Sequence, residues 1–287
     1  MLLEFTRPYL EAAEKIAAKG DVEATVESLR SLSLDDFGLL LLSMPNKQWP
    51  KLSKVLPAMA SDDVQRKWTG ACGTPLLQQS LDFVRAVRTE FVAATGRPLE
   101  GAKILDYGCG YGRLLRLMMR YAVLDNLVGC DPLEESIQIC REDGIPCRLD
   151  VTDFLPESLP YPDETFDLMF AFSVFTHTSL RASKAALAAL RKTAVPDALL
   201  AITIRPVEYW ANDPAYTEEA PKLQKKHRKE GFVFVPHERE AVDGDITYGD
   251  TSMSLDYLAS IAEGWKISGY DRSIFDENQI IVFLRPV

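Results

Sequence analysis

Three glycines at alternate positions, Gly108, Gly110 and Gly112, mark the segment of this sequence with the clearest potential for chemistry. They follow a short apolar stretch and precede an apolar helical pattern over residues 114–119, and glycine lets a ligand approach the main chain closely. Asp106 lies just before the turn. Its carboxylate would repel the pyrophosphate that a G-x-G-x-x-G turn binds at a helix N-terminus, and it suits an ammonium group instead. The competing interpretation is a strand–turn–helix corner whose glycines serve only tight packing.

A second acidic residue, Asp131, ends the apolar stretch 126–131 about 20 residues after the glycines, where a nucleotide-binding crossover places its partner for ribose hydroxyls. A helix N-cap is the alternative role. The run Leu105–Gly112, taken with this acid, resembles the glycine-rich motif of class I S-adenosylmethionine (SAM)-dependent methyltransferases. The resemblance implies that the turn receives the amino-acid end of SAM. It also implies that Asp131 holds both ribose hydroxyls and that Pro132 lies beside the adenine.

The same resemblance implies an acid after the third strand that accepts a hydrogen bond from the adenine amino group. Asp150 matches this position best because it lies closest to the end of the predicted strand 146–149. The next backbone N–H, that of Val151, would then meet a ring nitrogen of the adenine. Asp153 is the competitor for the acidic position, and a helix-capping role would produce the same pattern there.

Candidate catalytic residues follow the fourth predicted strand, 166–173, whose end carries Phe172 and Ser173 toward the position expected for the SAM methyl group. Methyl transfer is an in-line displacement at an activated carbon, so alignment dominates, while a hydroxyl acceptor also benefits from a base. His177 is the first candidate base, because histidine titrates near neutral pH. His237 is the second. A structural histidine without a chemical role is an equally good interpretation of His177.

Three other side chains have two interpretations each, and the remaining histidine has one. Trp68 could pack on the cofactor or join a helical region to the sheet as a core residue. Arg113 and Arg116 could pair with the cofactor's carboxylate or decorate the helix surface. His227 lies within the basic run 225–229 and is most simply part of a solvated face.

The composition is that of an ordinary globular enzyme, with 287 residues, a net charge of −10 and a pI of about 5.0. The acidic balance disfavours a nucleic-acid partner. The longest apolar run, residues 37–44, is too short to span a bilayer, and the N-terminus lacks a signal-peptide layout. We therefore expect no membrane partner and a cytoplasmic location. The five cysteines and three histidines show no metal-ligand spacing, so we expect no metal.

Hydrophobic periodicity predicts a helical region over residues 1–98, followed by alternating strands and helices. The predicted strands are 103–106, 126–131, 146–149, 166–173, 198–204, 265–271 and 279–285, and the predicted helices of this part are 112–121, 133–143, 180–194 and 254–263. The last two strands are joined by the short segment 272–278, which cannot hold a crossover helix, so they must pair antiparallel.

The fold class expected is therefore α/β, with a doubly wound, mostly parallel seven-stranded sheet, an antiparallel last strand and an N-terminal helical lid region. Residues 1–98 are the expected cap or lid, and residues 99–287 are the expected Rossmann-like SAM-binding domain. Residues 205–253 exceed a normal connection between a strand and a helix. Because long connections at the carboxyl ends of strands tend to bind ligands, we interpret this insertion as a substrate lid.

The resemblance implies a SAM-dependent methyltransferase that acts on a small-molecule or glycan acceptor. The motifs look most like bacterial methyltransferases of surface-glycan and natural-product pathways, and we therefore expect O-methylation of a sugar or another small polar metabolite. An N-methyltransferase for a small amine or amide remains an alternative. A NAD-dependent oxidoreductase, a non-catalytic nucleotide-binding module and a SAM-binding protein without activity are the others. The sequence leaves the acceptor and the oligomeric state open.

Overall fold

The computed structural model of this protein describes residues 2–163 and 165–287. The chain divides into two compact units. The first comprises the residues up to Val92 together with Gly96–Val151, and the second comprises Ala93–Thr95 together with Thr152–Val287.

A series of helices leads into the sheet of the first unit. They are α1 (Arg7–Ala17), α2 (Val22–Leu29), α3 (Leu34–Leu42), α4 (Leu52–Val55), α5 (Asp62–Thr69) and α6 (Gly73–Thr95). Asp21, Ser33 and Ser61 cap helices α2, α3 and α5, because each side chain accepts a backbone N–H bond from the first turn. Gly70 and Gly96 end α5 and α6 in the left-handed conformation that glycine adopts at low cost.

The first unit also contains three parallel strands and the helices between them. These are β1 (Ile104–Tyr107), α7 (Arg113–Met118), β2 (Leu127–Asp131), α8 (Glu134–Glu142) and β3 (Arg148–Val151). Strands β1 and β2 are buried at every position, as expected of parallel strands covered on both faces. The register pairs Tyr107 with Cys130 and Asp131 with Val151. Parallel register therefore brings the carboxyl ends of the three strands to one edge.

The second unit contains the remaining strands and helices. These are β4 (Phe166–Ala171), α9 (Leu180–Thr193), β5 (Ala194–Ile204), α10 (Tyr209–Asn212), α11 (Ala220–Glu230), β6 (Phe232–Pro236), β7 (Gly249–Met253), α12 (Leu255–Ile261), β8 (Trp265–Asp271) and β9 (Ile280–Pro286). Strand β4 pairs parallel with β5, whereas β9 runs antiparallel to both β5 and β8. Strands β6 and β7 form a separate antiparallel pair.

The main sheet has seven strands in the order β3-β2-β1-β4-β5-β9-β8. This order and the antiparallel β9 confirm the predicted fold class. The antiparallel pairing of β8 and β9 could be predicted because the connection between them is too short for a crossover helix.

Strand β7 was not predicted from the sequence. Its residues Gly-Asp-Thr-Ser-Met carry little hydrophobic signal, yet all five are buried. Pairing with β6 forms this strand, so long-range contact overrides weak local propensity. Strand β4 also ends two residues earlier than predicted, since Ser173 has a φ of 60° and cannot continue an extended strand.

Within residues 2–163 and 165–287, no helix has both the length and the apolar character that crossing a bilayer demands.

Candidate functional site

The glycine turn after β1 adopts a conformation that requires its glycines. Gly108, Gly110 and Gly112 have φ values of 74°, 55° and 74°, in the region that side chains disfavour. The backbone N–H groups of Gly108 and Cys109 both donate to the carbonyl of Cys130, at 2.8 and 3.0 Å. The turn is therefore attached to strand β2 as well as to β1.

The glycines of this turn face different neighbours. A Cβ atom added to Gly112 would lie 2.1 Å from Cδ1 of Ile145, so this position is needed for packing. A Cβ atom on Gly110 would lie 3.7 Å from Cε3 of Trp68, so the indole ring lies beside the turn. The half-buried Trp68 is thus placed where the sequence predicted a residue near the cofactor, and its contact with SAM stays a prediction.

Asp106 is buried beneath the glycine turn, with 2% of its surface exposed. In the part of the chain that the structure describes, no hydrogen-bond donor reaches its carboxylate. Burial raises the pKa of Asp106 well above its ordinary value, and the nearby Asp131 carboxylate adds to this effect, while Arg113 opposes it. A buried carboxyl group without a donor must keep its proton or receive a cation. This position therefore fits an ammonium group.

Asp131 binds the turn directly. Its Oδ2 accepts a hydrogen bond from the Gly110 N–H at 2.9 Å, and its Oδ1 accepts one from the Leu133 N–H at 2.9 Å. Burial raises the pKa of Asp131, and these two backbone hydrogen bonds counteract part of the effect. Since each carboxylate oxygen has two acceptor sites, capacity for two hydroxyl donors remains. Pro132 lies half-buried next to this group.

The two acids predicted for the adenine lie in different settings. Asp150 stands on β3 opposite Cys130 of β2, and its Oδ2 accepts a hydrogen bond from Nε of Arg148 at 2.8 Å. Val151 ends the strand with 45% of its surface exposed. Asp153 lies beyond β3 in the second unit and is exposed. The structure thus keeps Asp150 and Val151 in the same unit as the glycine turn.

Both interpretations of Arg116, cofactor contact and surface decoration, were wrong. Its side chain is fully buried, where it donates to the carbonyls of Ala58 and Tyr111 and to Oδ2 of Asp143 at 2.7 Å. Burial lowers its pKa, and the Asp143 carboxylate opposes that shift. Arg116 therefore links three segments of the core.

Arg113 is attached to the long helix α6. Its Nη1 donates to Oε1 of Gln79 at 2.7 Å and to Oγ of Ser80 at 2.9 Å. These bonds hold the start of α7 against α6.

In the second unit, Phe172 and Ser173 follow strand β4. Phe172 is buried, and the Ser173 N–H donates to Oγ1 of Thr203 at 2.7 Å. The Ser173 hydroxyl lies 3.2 Å from that of Thr176. Strand β5 therefore holds Ser173 in its left-handed conformation, a type of strain that is common at functional sites.

Asp250, on β7, is the centre of a polar cluster in the second unit, with 8% of its surface exposed. Its Oδ1 accepts a hydrogen bond from Nη1 of Arg205 at 2.5 Å. Its Oδ2 accepts from the Tyr216 hydroxyl at 2.6 Å and from Nε2 of His237 at 2.8 Å. Burial tends to raise the pKa of Asp250, but the Tyr216 and His237 hydrogen bonds and the Arg205 charge outweigh it and hold the pKa well below the ordinary value. Asp250 is therefore ionised.

His177 contacts the same cluster through both ring nitrogens. Its Nδ1 lies 2.9 Å from the Gly249 carbonyl, so Nδ1 carries the proton and donates. Its Nε2 lies 3.1 Å from Nη2 of Arg205, which has only hydrogens to offer, so Nε2 accepts. Burial and the Arg205 charge lower the pKa of His177 to about 4, against the opposing effect of Asp250. His177 is a neutral ring with both nitrogens engaged.

His237 has a different arrangement. Its Nε2 carries a proton and donates it to Asp250, while its side chain is 40% exposed. Across residues 2–163 and 165–287, no hydrogen-bond partner reaches its Nδ1. The Tyr248 ring contacts both histidines: it is stacked on His177 at a centroid distance of 5.1 Å, and it is inclined by 67° to His237 at 5.4 Å. The guanidinium of Arg239 lies 3.9 Å from the centre of the Tyr248 ring.

The expectation that His227 lies on a solvated basic face was wrong. The residue is 7% exposed, and its Nδ1 lies 2.7 Å from Oγ of Ser252, which also accepts from Nε1 of Trp210 at 2.7 Å. The basic neighbours of His227 do point outward, but Ala220, Leu223 and His227 share the buried face of α11.

Arg205 and Tyr216 were not among the predicted site residues. The one available signal was position, since Arg205 comes directly after the buried strand β5 and Tyr216 lies in the long insertion. The structure brings these two residues to Asp250 together with both predicted catalytic histidines.

Comparison with known proteins gives a family for the central segment. Residues 104–197 match the family model described as a methyltransferase domain. The ubiquinone biosynthesis O-methyltransferase of Rhizobium etli strain CIAT 652 is 34% identical over 87 residues, which cover 29% of this chain and 34% of that protein. The chain thus matches about a third of the length of such curated relatives.

Two solved structures have the same fold. An S-adenosylmethionine-dependent methyltransferase from Clostridium acetobutylicum ATCC 824 has a TM-score of 0.50 at 12% identity, covering 78% of this chain and 96% of that one. The PH0226 protein from Pyrococcus horikoshii OT3 has a TM-score of 0.50 at 15% identity, covering 72% and 90%. At these identities the likeness extends to the fold alone.

Proposed function

We propose that this chain, whose residues 104–197 are a methyltransferase domain of the class I SAM-dependent family, transfers the methyl group of SAM to a hydroxyl group of a small polar acceptor. SAM supplies a methyl group on a positively charged sulfur, so the leaving group is already activated. The protein must then bind the donor, align the acceptor and exclude competing reactions.

The buried Asp106 carries the cofactor part of this proposal. A carboxyl group that is 2% exposed and has no donor among the described residues is a costly feature unless a ligand completes it. The ammonium group of SAM supplies both the positive charge and the hydrogen-bond donors. A phosphate in the same place would add a second negative charge, which argues against a dinucleotide.

The remaining cofactor contacts follow from the carboxyl edge of β1, β2 and β3. We assign the ribose hydroxyls to Asp131, whose oxygens each retain an acceptor site. The adenine is assigned to Pro132, Asp150 and the exposed Val151, which gives the ring an apolar surface and an acceptor for its amino group. Trp68 lies beside Gly110, and we propose that the N-terminal region 1–98 covers the cofactor through this residue.

The acceptor is proposed to be a sugar or another small polar metabolite. The partial match to O-methyltransferases supports oxygen as the atom that is methylated. The net charge of −10 disfavours a nucleic acid. We propose that the insertion 205–253 selects the acceptor, since it supplies the Asp250 cluster with polar and aromatic side chains.

Calorimetric titration with SAM, with S-adenosylhomocysteine and with NAD tests the cofactor assignment. We expect micromolar binding of the first two and none of NAD. Methyl-tritiated SAM is then incubated with separate panels of monosaccharides, phenols and amines, and the labelled product is counted. In the transfer assay, we expect labelled product from a panel of hydroxyl compounds, whereas product from amines alone would favour N-methylation. In the titration, binding of NAD alone would overturn the proposal.

A further inference from the structure

Four lysines share the outward side of helix α11, which belongs to the insertion in the second unit. Their spacing of i, i+3, i+4 and i+7 places them along one side of the helix over about 10 Å. All four are exposed, whereas the side of α11 that carries Leu223 and His227 is buried. The residues of this lysine stripe are Lys222, Lys225, Lys226 and Lys229. A concentrated positive charge of this kind contrasts with the net charge of −10 of the whole chain.

The lysine stripe has no acidic partner within the chain. Among the residues that the structure describes, none of its ammonium groups forms an ion pair or a hydrogen bond. Lysines three or four positions apart are neighbours on the helix surface, and like charges at these spacings repel each other. The stripe therefore lowers the stability of α11 when nothing negative lies against it.

The helix dipole does not explain these positions. Positive charges stabilise the last turn of a helix, where Lys229 lies, and destabilise the first turn, where Lys222 lies. The first turn of α11 contains no acidic residue that would offset Lys222. The stability of the helix thus gives no reason for the stripe, and a negatively charged ligand would relieve its repulsion.

A membrane surface does not fit the stripe. A helix that binds a bilayer inserts its apolar face into the lipid, but the apolar face of α11 packs against Trp210 and Val233 in the core of the insertion. No large hydrophobic side chain of residues 205–253 is exposed, and the net charge of −10 opposes approach to anionic lipid. A nucleic acid fits no better, because the stripe contains no aromatic side chain on which a base could stack.

The spacing of the lysines indicates the shape of the partner. A helix with carboxylates at i, i+3, i+4 and i+7 presents a stripe of the same length and width, so that each carboxylate can lie against a lysine. None of the helices that the structure describes carries acidic residues at all of these positions. A second copy of this chain therefore lacks the complementary helix.

We propose that the lysine stripe of α11 is the docking surface for an acidic helix of a partner protein, an inference that does not rest on the proposed function. The contacts are between flexible, exposed side chains, so the complex is transient and weakens as the salt concentration increases. Docking places the partner on the same insertion that contains the Asp250 cluster.

Fluorescence anisotropy of two labelled, alanine-based helical peptides tests the proposal on the full chain. One peptide carries glutamates at i, i+3, i+4 and i+7, and the other has the same composition with its glutamates spread around the helix. Circular dichroism verifies that both are equally helical. At about 0.15 M salt, where charges more than about 8 Å apart are largely screened, we expect the patterned peptide to bind roughly tenfold more tightly.

Two double variants show where the patterned peptide binds. Lys222→Gln combined with Lys226→Gln should weaken its binding roughly fivefold or more, because both positions lie on the stripe. Lys184→Gln combined with Lys266→Gln is the matched control, since it removes the same charge from exposed lysines elsewhere in the second unit. This control should retain the wild-type affinity within about twofold.

Equal binding of the two peptides, or equal losses in the two double variants, would show that only net charge is sensed and would overturn the proposal. Tighter binding to vesicles of phosphatidylcholine and phosphatidylserine, or to a single-stranded DNA oligonucleotide, would overturn it in favour of a membrane or a nucleic acid. SAM titration of the wild-type chain tests the proposed function separately, so loss of either result leaves the other standing.

Discussion

Arg205 donates a guanidinium N–H to Nε2 of His177 at 3.1 Å. This bond occupies the lone pair that would make His177 a base, and the charge of Arg205 adds to the effect of burial in lowering the pKa of the ring. A histidine next to a strand end is thus held neutral by its tertiary neighbours. His237 has different surroundings, since its Nε2 donates to Asp250 and no described residue bonds to its Nδ1.

The neutral state of His177 predicts an acid-sensitive stability. Its folded pKa of about 4 lies below the ordinary 6.5, so the unfolded chain binds the proton first as the pH falls. Stability is complete above pH 6.5 and decreases toward pH 4, by up to about 3 kcal/mol. The pKa of His177 in the wild-type protein includes the effects of the groups that face its ring, which are Arg205, Asp250, Gly249 and His237.

Urea unfolding between pH 4 and pH 7 measures this effect. In His177→Gln, the free energy of unfolding should depend less on pH in that range. The Asp250 contribution falls at lower pH, because its pKa is depressed and its stabilisation is lost only below about pH 3.8. A variant curve as steep as that of the wild type would contradict a neutral, buried His177.

SAM binding should release protons. Burial raises the pKa of Asp106, so the free protein holds a proton there over a wider pH range, whereas the ammonium of SAM favours the ionised form. The affinity for SAM is therefore expected to increase with pH until the pH exceeds the raised pKa of Asp106. Calorimetry in two buffers of different ionisation enthalpy measures the number of protons released.

Substitution of Asp106 tests the same contact. Asp106→Asn should weaken SAM binding about 10- to 100-fold, since a charge-assisted hydrogen bond is lost. The exposed Asp125→Asn is the control and should leave affinity unchanged. Wild-type affinity in Asp106→Asn would show that the ammonium group binds elsewhere.

Gly112→Ala should destabilise the protein by about 2–5 kcal/mol, from left-handed strain and overpacking together. The added Cβ would lie 2.1 Å from Ile145, which must move. Gly20→Ala is the matched control, since its φ of 77° is similar and nothing lies within 4 Å of the added atom. It should cost only about 1–2 kcal/mol. Chemical denaturation compares the two, and equal losses would refute the packing role of Gly112.

Arg116→Ala should cost about 3–5 kcal/mol of unfolding free energy, because it leaves Asp143 without its partner and two carbonyls without donors. The control is Arg66→Ala, which removes an exposed ion pair with Asp62. That change should cost less than about 1 kcal/mol. The thermal unfolding midpoints of the two variants give the comparison, and a small effect at Arg116 would contradict its role as a link in the core.

The local sequence pattern was sufficient to predict the sheet and the glycine turn. Strands in a parallel sheet are buried on both faces, so each appears in the sequence as a short apolar run. The crossover connection between two such strands needs a helix. The glycine turn and Asp106 are contiguous in sequence, so their spacing alone indicates their geometry. The antiparallel last strand followed from the length of one connection.

Strand β7 and the burial of Arg116 could not be predicted from the local sequence pattern. The three central residues of β7 are polar, and their burial depends on pairing with β6. Arg116 lies on a helix beside the glycine turn, but its partners Ala58 and Asp143 come from segments distant in sequence.

The sequence alone determined that this protein has a glycine turn on a mostly parallel sheet, because residues adjacent in the chain encode both. It also identified both histidines as candidates from their residue type. Only the tertiary structure showed how their surroundings differ, since Arg205 reaches the ring of His177 and Asp250 reaches the ring of His237 from other segments. The position of a proton on an imidazole depends on these neighbours, and no local pattern specifies which ones will meet.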